Sequence, residues 1–224
     1  MRVLLILSLL ALAVGGGFAP WVYRPAVALQ LTPPGLAEYV KFLGEVRLGL
    51  LALQRLHFLL PLAVAALSLP LVAVNETLGL PWGLNWLLRF SVAPMALSLL
   101  SPIWAPDRLL TPEFRLQTMV AAVCLGLALM AFAFDKLPLK WLVSAIALAA
   151  VIGVGLALRQ FYLANAAIAA TYASPVKLGW GGWVAILGGV GLVISAVWAW
   201  QIEPALPNPP EGGVFGQMFP PLGG

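Results

Sequence analysis

Six long stretches of this sequence are strongly apolar, and they restrict the possible folds more than any other feature. They cover residues 3–19, 48–74, 82–104, 112–134, 137–158 and 178–200. A helix rises about 1.5 Å per residue, so about 20 mainly apolar residues cross a hydrocarbon layer about 30 Å thick. The sequence therefore predicts an all-α fold: a polytopic transmembrane helical bundle of about six spans, forming a single domain over residues 1–200.

The composition favours a membrane location. Hydrophobic residues make up 62% of the 224 residues and charged residues only 9%, against about 45–50% and about 25% in soluble domains. So few charges could not cover the surface of a soluble fold of this size, and the lipid bilayer is the first predicted partner. The net charge of +4 is scattered and forms no basic stripe, so nucleic acid is not a predicted partner.

Two segments outside the spans have patterns of their own. Residues 33–47 place apolar residues at helical spacing, with Glu38, Lys41 and Glu45 on the opposite face. This pattern predicts an interfacial amphipathic helix between spans one and two, with a polar-faced extension of span two as the alternative. Residues 201–224 are rich in Pro and Gly, which predicts an extended tail that packs on a partner or on the membrane surface, with disorder as the alternative.

The positive charges suggest an orientation. With six spans and a cytoplasmic N-terminus, three Lys and Arg residues would lie inside and eight outside, which reverses the usual excess in cytoplasmic loops. We therefore expect both termini outside, in the cytoplasmic membrane of a prokaryote. Arg2 ahead of an apolar run also resembles a secretory signal and favours the opposite orientation. Pro20, just beyond the possible cleavage point, suits a signal peptidase poorly, so we expect a retained span.

Arg89 is the clearest case of a charged residue inside a predicted span. It lies about two turns into span three, with Asn85 one turn earlier on the same face and Pro94 at a predicted kink. A charge at membrane depth is costly and often functional. Arg89 and Asn85 are therefore candidates to contact a substrate, an anionic headgroup or a partner's acid, and the alternative is that Arg89 extends back to the nearby interface.

His57, the only histidine, belongs to a polar stripe along span two. Gln54, Pro61, Ser68 and Asn75 share its face at spacings of three, four and seven, which predicts that this face contacts protein. A lone imidazole can be the axial ligand of a pigment, whereas a bis-histidine haem within this chain is excluded by count. The alternative is a structural histidine, hydrogen-bonded to a neighbour near Arg55.

Catalytic residues and metal ligands are not predicted. All eight acids fall outside the cores of the spans, and Cys124 is the only cysteine, so neither an intramembrane carboxylate relay nor an internal disulfide is expected. Glycines in spans five and six predict close helix packing. Three functions remain open: a non-catalytic subunit or assembly component of a larger membrane complex, a transport permease or lipid-handling protein, and a pigment- or quinone-associated subunit. In all three, other membrane subunits are possible partners.

Overall fold

The structure is a computed structural model that describes residues 1–24, 29–100, 106–172 and 175–201. The predicted tail at 201–224 lies outside these residues, apart from Gln201. Ten α-helices and two short strands lie in the described part of the chain. The helices are α1 (Arg2–Ala13), α2 (Pro33–Tyr39), α3 (Gly44–Arg47), α4 (Leu60–Val74), α5 (Trp82–Phe90), α6 (Val92–Leu99), α7 (Pro106–Leu109), α8 (Arg115–Met130), α9 (Leu139–Thr171) and α10 (Trp180–Gln201).

Shorter helical turns extend several of these elements. They are a π-helical turn at Val14–Phe18 after α1 and 3-10 turns at Val40–Phe42, Arg55–Leu59, Glu76–Leu78 and Ala131–Phe134. Strands β1 (Val22–Arg24) and β2 (Leu29–Leu31) form an antiparallel hairpin with Val22 opposite Leu31. The prediction of an all-α class is therefore confirmed for the bulk of the described chain, with this hairpin as a small addition.

Four helical segments are long and apolar enough to cross a membrane: Arg55–Val74, Arg115–Phe134, Leu139–Thr171 and Trp180–Gln201. They correspond to predicted spans two, four, five and six. Predicted span one is the shorter apolar helix Arg2–Phe18. Predicted span three is divided at Ser91 into α5 and α6, neither of which has that length.

Several predicted boundaries differ from the structure. Span two begins at Arg55 and not at residue 48, because Gly49 has a positive φ of 73° and turns the chain after α3. The predicted helix at 33–47 is broken at Leu43, whose ψ of 134° is extended. α8 begins at Arg115, three residues later than predicted, and α9 continues to Thr171, 13 residues beyond the predicted end at 158.

Glycines bring α1 and α10 together as an antiparallel pair. A Cβ added to Gly188 would lie 2.6 Å from the backbone N of Leu12, and one added to Gly15 would lie 2.4 Å from the backbone N of Ala185. These positions accept only glycine, because any side chain would overlap backbone atoms. α9 then packs between α10 and α4, where a Cβ added to Gly153 would lie 3.4 Å from Leu60.

The helix ends define two ends of the bundle. At the Asn75 end, the Asn75 amide donates to the Leu137 carbonyl at 2.9 Å, and the Glu76 N–H donates to the Asp135 carbonyl at 3.2 Å. At the Arg55 end, Arg55 lies beside Glu113, just ahead of α8. α4 and α8 are therefore parallel, whereas α4 and α9 are antiparallel.

A small layer of structure covers the Arg55 end. It contains the β-hairpin, α2, α3 and the last turns of α9, and Trp21 is fully buried at its centre. The Trp21 indole donates to the Gly15 carbonyl at 2.7 Å and meets the Phe161 ring edge-on at 6.1 Å. Tyr39 of α2 stacks on Tyr172 just after α9 at 6.4 Å, so the extension of α9 anchors this layer to the bundle.

Candidate functional site

A groove lies at the Arg55 end, between the covering layer and the bundle. It has a volume of about 680 Å³. Its walls come from the turn after α1, the first turns of α2, the end of α6 and the start of α8: Gly17, Phe18, Thr32, Pro34, Gly35, Glu38, Pro94, Leu97, Ser98, Leu100 and Gln117. Small-molecule sites commonly form at such junctions between structural layers, with volumes of about 300–1,000 Å³.

Gln117 separates this groove from a second, apolar cavity. The second cavity holds about 110 Å³ between α4, α6 and α8, and Gln117 is the only polar residue in its wall. The Gln117 side chain is buried, and its amide donates to the Leu99 carbonyl at the end of α6. Gln117 therefore fixes the spacing of α6 and α8 where both cavities meet.

Four charged side chains form a cluster beside the groove. Lys41 Nζ lies 2.6 Å from Glu38 Oε2 and 2.9 Å from Glu113 Oε1. Arg55 Nη1 lies 3.1 Å from Glu113 Oε1 and 3.5 Å from Glu38 Oε1, and its Nη2 donates to the Glu113 carbonyl. The Phe114 ring lies 4.9 Å from the Lys41 ammonium and 4.8 Å from the Arg55 guanidinium. This charge cluster joins α2 to the starts of the segments that contain α4 and α8.

Two ionisable groups at the Arg55 end have shifted pKa values. The hydrogen bond and charge of Lys41, together with the charge of Arg55, lower the pKa of Glu113 below its ordinary value despite some desolvation. Burial and the neighbouring Tyr172 raise the pKa of Tyr39 to about 12. Both groups therefore keep their usual charge at neutral pH, and neither suits proton transfer there.

The predicted site residues Gln54 and His57 meet at one side chain, that of Gln160 on α9. Gln160 Oε1 accepts from the Gln54 backbone N–H at 3.1 Å, and Gln160 Nε2 lies 3.1 Å from His57 Nδ1. Because the backbone N–H can only donate, the amide group must present its NH₂ to the imidazole. The hydrogen-bond network therefore assigns Nδ1 as the acceptor and places the proton of the neutral ring on Nε2.

This arrangement bears on the pigment-ligand hypothesis for His57. Axial ligation requires a free lone pair on an imidazole nitrogen. In the assigned network Nδ1 is engaged by Gln160, and Nε2 carries the proton. The geometry thus favours a hydrogen-bonding role for His57 over the axial ligation of a pigment.

Arg89 lies against the carboxyl-terminal turns of α8. Its Nε and Nη2 donate to the Ala128 carbonyl at 3.2 and 3.0 Å, and its guanidinium lies 4.7 Å from the centre of the Trp86 ring. Carbonyls at the end of a helix carry partial negative charge and are normally unpaired, so a cation is favourable there. Arg89 therefore has a structural partner within the chain.

The remaining predicted residues lie apart from the groove. Ser68 is buried within α4, and Asn85 is half-buried one turn before Arg89. Asn75 is buried at the end of α4, where its Oδ1 has no hydrogen-bond partner among the described residues. The structure brings Gln54 and His57 together, whereas Arg89 lies near the other end of α8, about 20 Å away along the helix axis.

Sequence reasoning missed two residues that organise this end of the bundle. Gln160 follows the predicted end of span five by two residues, and Gln117 lies within predicted span four. A signal for each exists in the sequence, because both are amides at helical spacing from small or apolar residues that are buried, such as Ala157, Ala164 and Ala121. Among the described residues, no group of three or more His, Cys, Asp or Glu side chains could hold a metal ion.

The fold thus defines a mainly helical protein with four apolar helices of membrane-spanning length, which is compatible with a membrane protein. No protein-family model, curated protein or solved structure matches this chain.

Proposed function

We propose that the chain is a non-catalytic subunit, or a stabilising component, of a larger membrane protein complex. The observation that carries this proposal is the exposed face of α8. In its most apolar 18 residues only 22% are buried, against 67%, 44% and 50% in the other three long helices. Lipid can cover such a face, but its composition favours a protein partner.

Small residues follow this face at helical spacing. Ala122 is exposed, and a Cβ added to Gly126, one turn later, would meet no atom within 4 Å. Small residues four apart allow close approach of a second helix, which is the main basis of helix association in membranes. The glycines between α1 and α10 already have such a partner in this chain. Gly126 has none within the described residues, so a helix from another subunit fits there.

The proposed arrangement has six spans. α1 and its π-helical turn pack along α10, which crosses the bundle from end to end. α5 and α6 together also run between the two ends, because Arg89 contacts Ala128 near the end of α8 and Leu99 contacts Gln117 near its start. Spans one and three, added to the four long helices, therefore give the proposed six spans.

The proposed location is the cytoplasmic membrane of a prokaryote, with the Asn75 end outside. The first and the last described residues lie toward this end: a Cβ added to Gly79 would lie 3.8 Å from Arg2 Nη1, and Trp200 contacts Ser144 near the start of α9. The Arg55 end, inside, then carries most of the Lys and Arg residues, as the positive-inside tendency requires.

The transport alternative is less well supported. It requires Arg89, Asn85 and the residues of span two to line one path. Arg89, however, bonds to α8 and His57 bonds to α9, at opposite ends of the bundle. The pigment alternative requires a change in the Gln160 network. The subunit proposal requires neither.

Photo-crosslinking in native membranes tests the proposal. A photoreactive residue at Ala122 is expected to give a discrete adduct with another protein, and the same residue at Leu148, exposed on α9, serves as the comparison. Gly126→Leu is expected to abolish the adduct and to leave the thermal stability unchanged, whereas Gly83→Leu, an equally open glycine on α5, should preserve it. A monodisperse monomer without any adduct at Ala122 would contradict the proposal.

A further inference from the structure

The groove at the Arg55 end has the two-sided character of a site for an amphiphile. On one side, Phe18 and Leu97 are apolar and 50% and 40% exposed. On the other side, Thr32 and Glu38 supply a hydroxyl and a carboxylate. The helix ends in its walls place the groove at the level where spans meet the headgroup layer. A lipid could therefore enter with its chain along the apolar side and its headgroup at the polar side.

The charges beside the groove determine which headgroup fits. Glu38 lies in the wall, and Lys41 and Arg55, which are not among the lining residues, lie beside it, 2.6 and 3.5 Å from its carboxylate oxygens. With Glu113, the cluster has two negative and two positive side chains that alternate in sign. A purely anionic headgroup would meet the carboxylate of Glu38 first. A purely cationic headgroup would meet Glu38 too, but the ammonium of Lys41 and the guanidinium of Arg55 beside it would repel such a headgroup.

A headgroup that carries one positive and one negative charge can pair with both the acidic and the basic side chains of the cluster. We propose that the groove binds one zwitterionic phospholipid of the phosphatidylethanolamine type, with the ammonium at Glu38 and the phosphate toward Lys41 and Arg55. Ammonium and carboxylate, and guanidinium and phosphate, are charge-assisted hydrogen-bonding pairs. The groove volume of about 680 Å³ accommodates the headgroup and part of one chain. This site does not depend on the subunit proposal.

The chain offers a variant that fills the groove without disturbing its walls. A Cβ added to Gly35, in the first turn of α2, would lie 3.5 Å from Thr32 Oγ1, an ordinary contact, and its φ is not positive. Gly35→Leu therefore places a side chain in the groove. Gly44→Leu is the matched control, because Gly44 lies in the same covering layer and an added Cβ there would meet no atom within 4 Å.

The experiment measures lipid retained by the full chain after detergent exchange, with phosphatidylethanolamine and phosphatidylglycerol supplied in equal amounts. Wild type and Gly44→Leu are expected to retain about one phosphatidylethanolamine per chain, and Gly35→Leu at least about tenfold less. Glu38→Gln should reduce the preference over phosphatidylglycerol. If Gly35→Leu fails to fold, Leu97→Trp fills the groove from the opposite wall. Undiminished retention by a folded filling variant, or equal retention of both lipids by wild type, would overturn the proposal.

Discussion

The side-chain amide of Gln160 lies 3.1 Å from His57 Nδ1 and fixes which nitrogen of the imidazole carries the proton. The same amide accepts from the Gln54 backbone N–H at 3.1 Å. Gln160 itself is 1% exposed. One buried side chain on α9 thereby links the last residue of an irregular segment to the first turns of the helical segment Arg55–Val74.

Gln160→Leu is expected to destabilise the protein by about 1–2 kcal/mol, because it leaves the Gln54 N–H and His57 Nδ1 without their partner. For a chain of this size that corresponds to a fall in apparent Tm of several degrees. The measurement is thermal unfolding in detergent. Gln201→Leu, at the exposed end of α10, is the control, and an equal effect of both substitutions would show that the link contributes nothing.

Arg89→Met tests the contact of Arg89 with the end of α8. Loss of the bonds to the Ala128 carbonyl, and of the contact with the Trp86 ring, should cost about 1–2 kcal/mol. Arg115→Met is the control, because Arg115 is exposed at the start of the same helix, where a positive charge is unfavourable. Thermal unfolding should therefore separate the two variants; if Arg115→Met is the more damaging one, Arg89 does not stabilise α8.

The long apolar runs predicted α4, α8 and α10 well, because a helix in lipid is determined mainly by local composition. They predicted the carboxyl-terminal end of α9 and the start of span two, ahead of α4, poorly. The helix continues past Arg159 because Phe161 packs on Trp21, a contact between residues distant in sequence. Span two begins late because Gly49 adopts a left-handed conformation. Neither cause is visible in mean hydropathy.

The candidate site could be predicted only in part for a similar reason. The spacing along span two indicated a face in contact with protein, and Gln54 and His57 lie on it. Their common partner, Gln160, and the groove beside Glu38 arise from the way in which α2, α6 and α9 approach each other. The sequence marks Gln160 as an amide at helical spacing from small residues, but a single sequence carries no signal for its long-range partners, so the pairing required the structure.

Gly188→Ala tests the close packing of α1 on α10. The added Cβ would lie 2.6 Å from the Leu12 backbone N and 2.9 Å from the Ser8 carbonyl oxygen, so the helices must separate at a cost of about 1–3 kcal/mol. Gly155→Ala, where an added Cβ meets nothing within 4 Å, should be neutral or stabilising by up to about 1 kcal/mol. Equal unfolding temperatures of the two variants would contradict the close approach.

Glu113→Gln tests the charge cluster by its pH dependence. The folded state lowers the pKa of Glu113 below its ordinary value of 4.5, so ionised Glu113 stabilises the fold above that pH, and the stabilisation is lost as the pH falls through the lowered value. The stability difference between wild type and Glu113→Gln should therefore shrink as the pH falls from neutrality to below the ordinary pKa of 4.5. Glu45→Gln, which removes an acid outside the described ion pairs, should show no such convergence. A pH-independent difference for Glu113→Gln would contradict the role of its charge.

Cysteine labelling tests the proposed orientation. Replacement of the buried Cys124 by Ala removes the only native thiol, so Lys136→Cys at the Asn75 end and Arg47→Cys at the Arg55 end can each be introduced alone. Both positions are exposed. A membrane-impermeant maleimide added to intact cells should label Lys136→Cys, and Arg47→Cys only after permeabilisation. The reverse pattern would invert the orientation. Labelling of both from outside would refute a membrane-spanning bundle, because the two sites lie at opposite ends of the bundle.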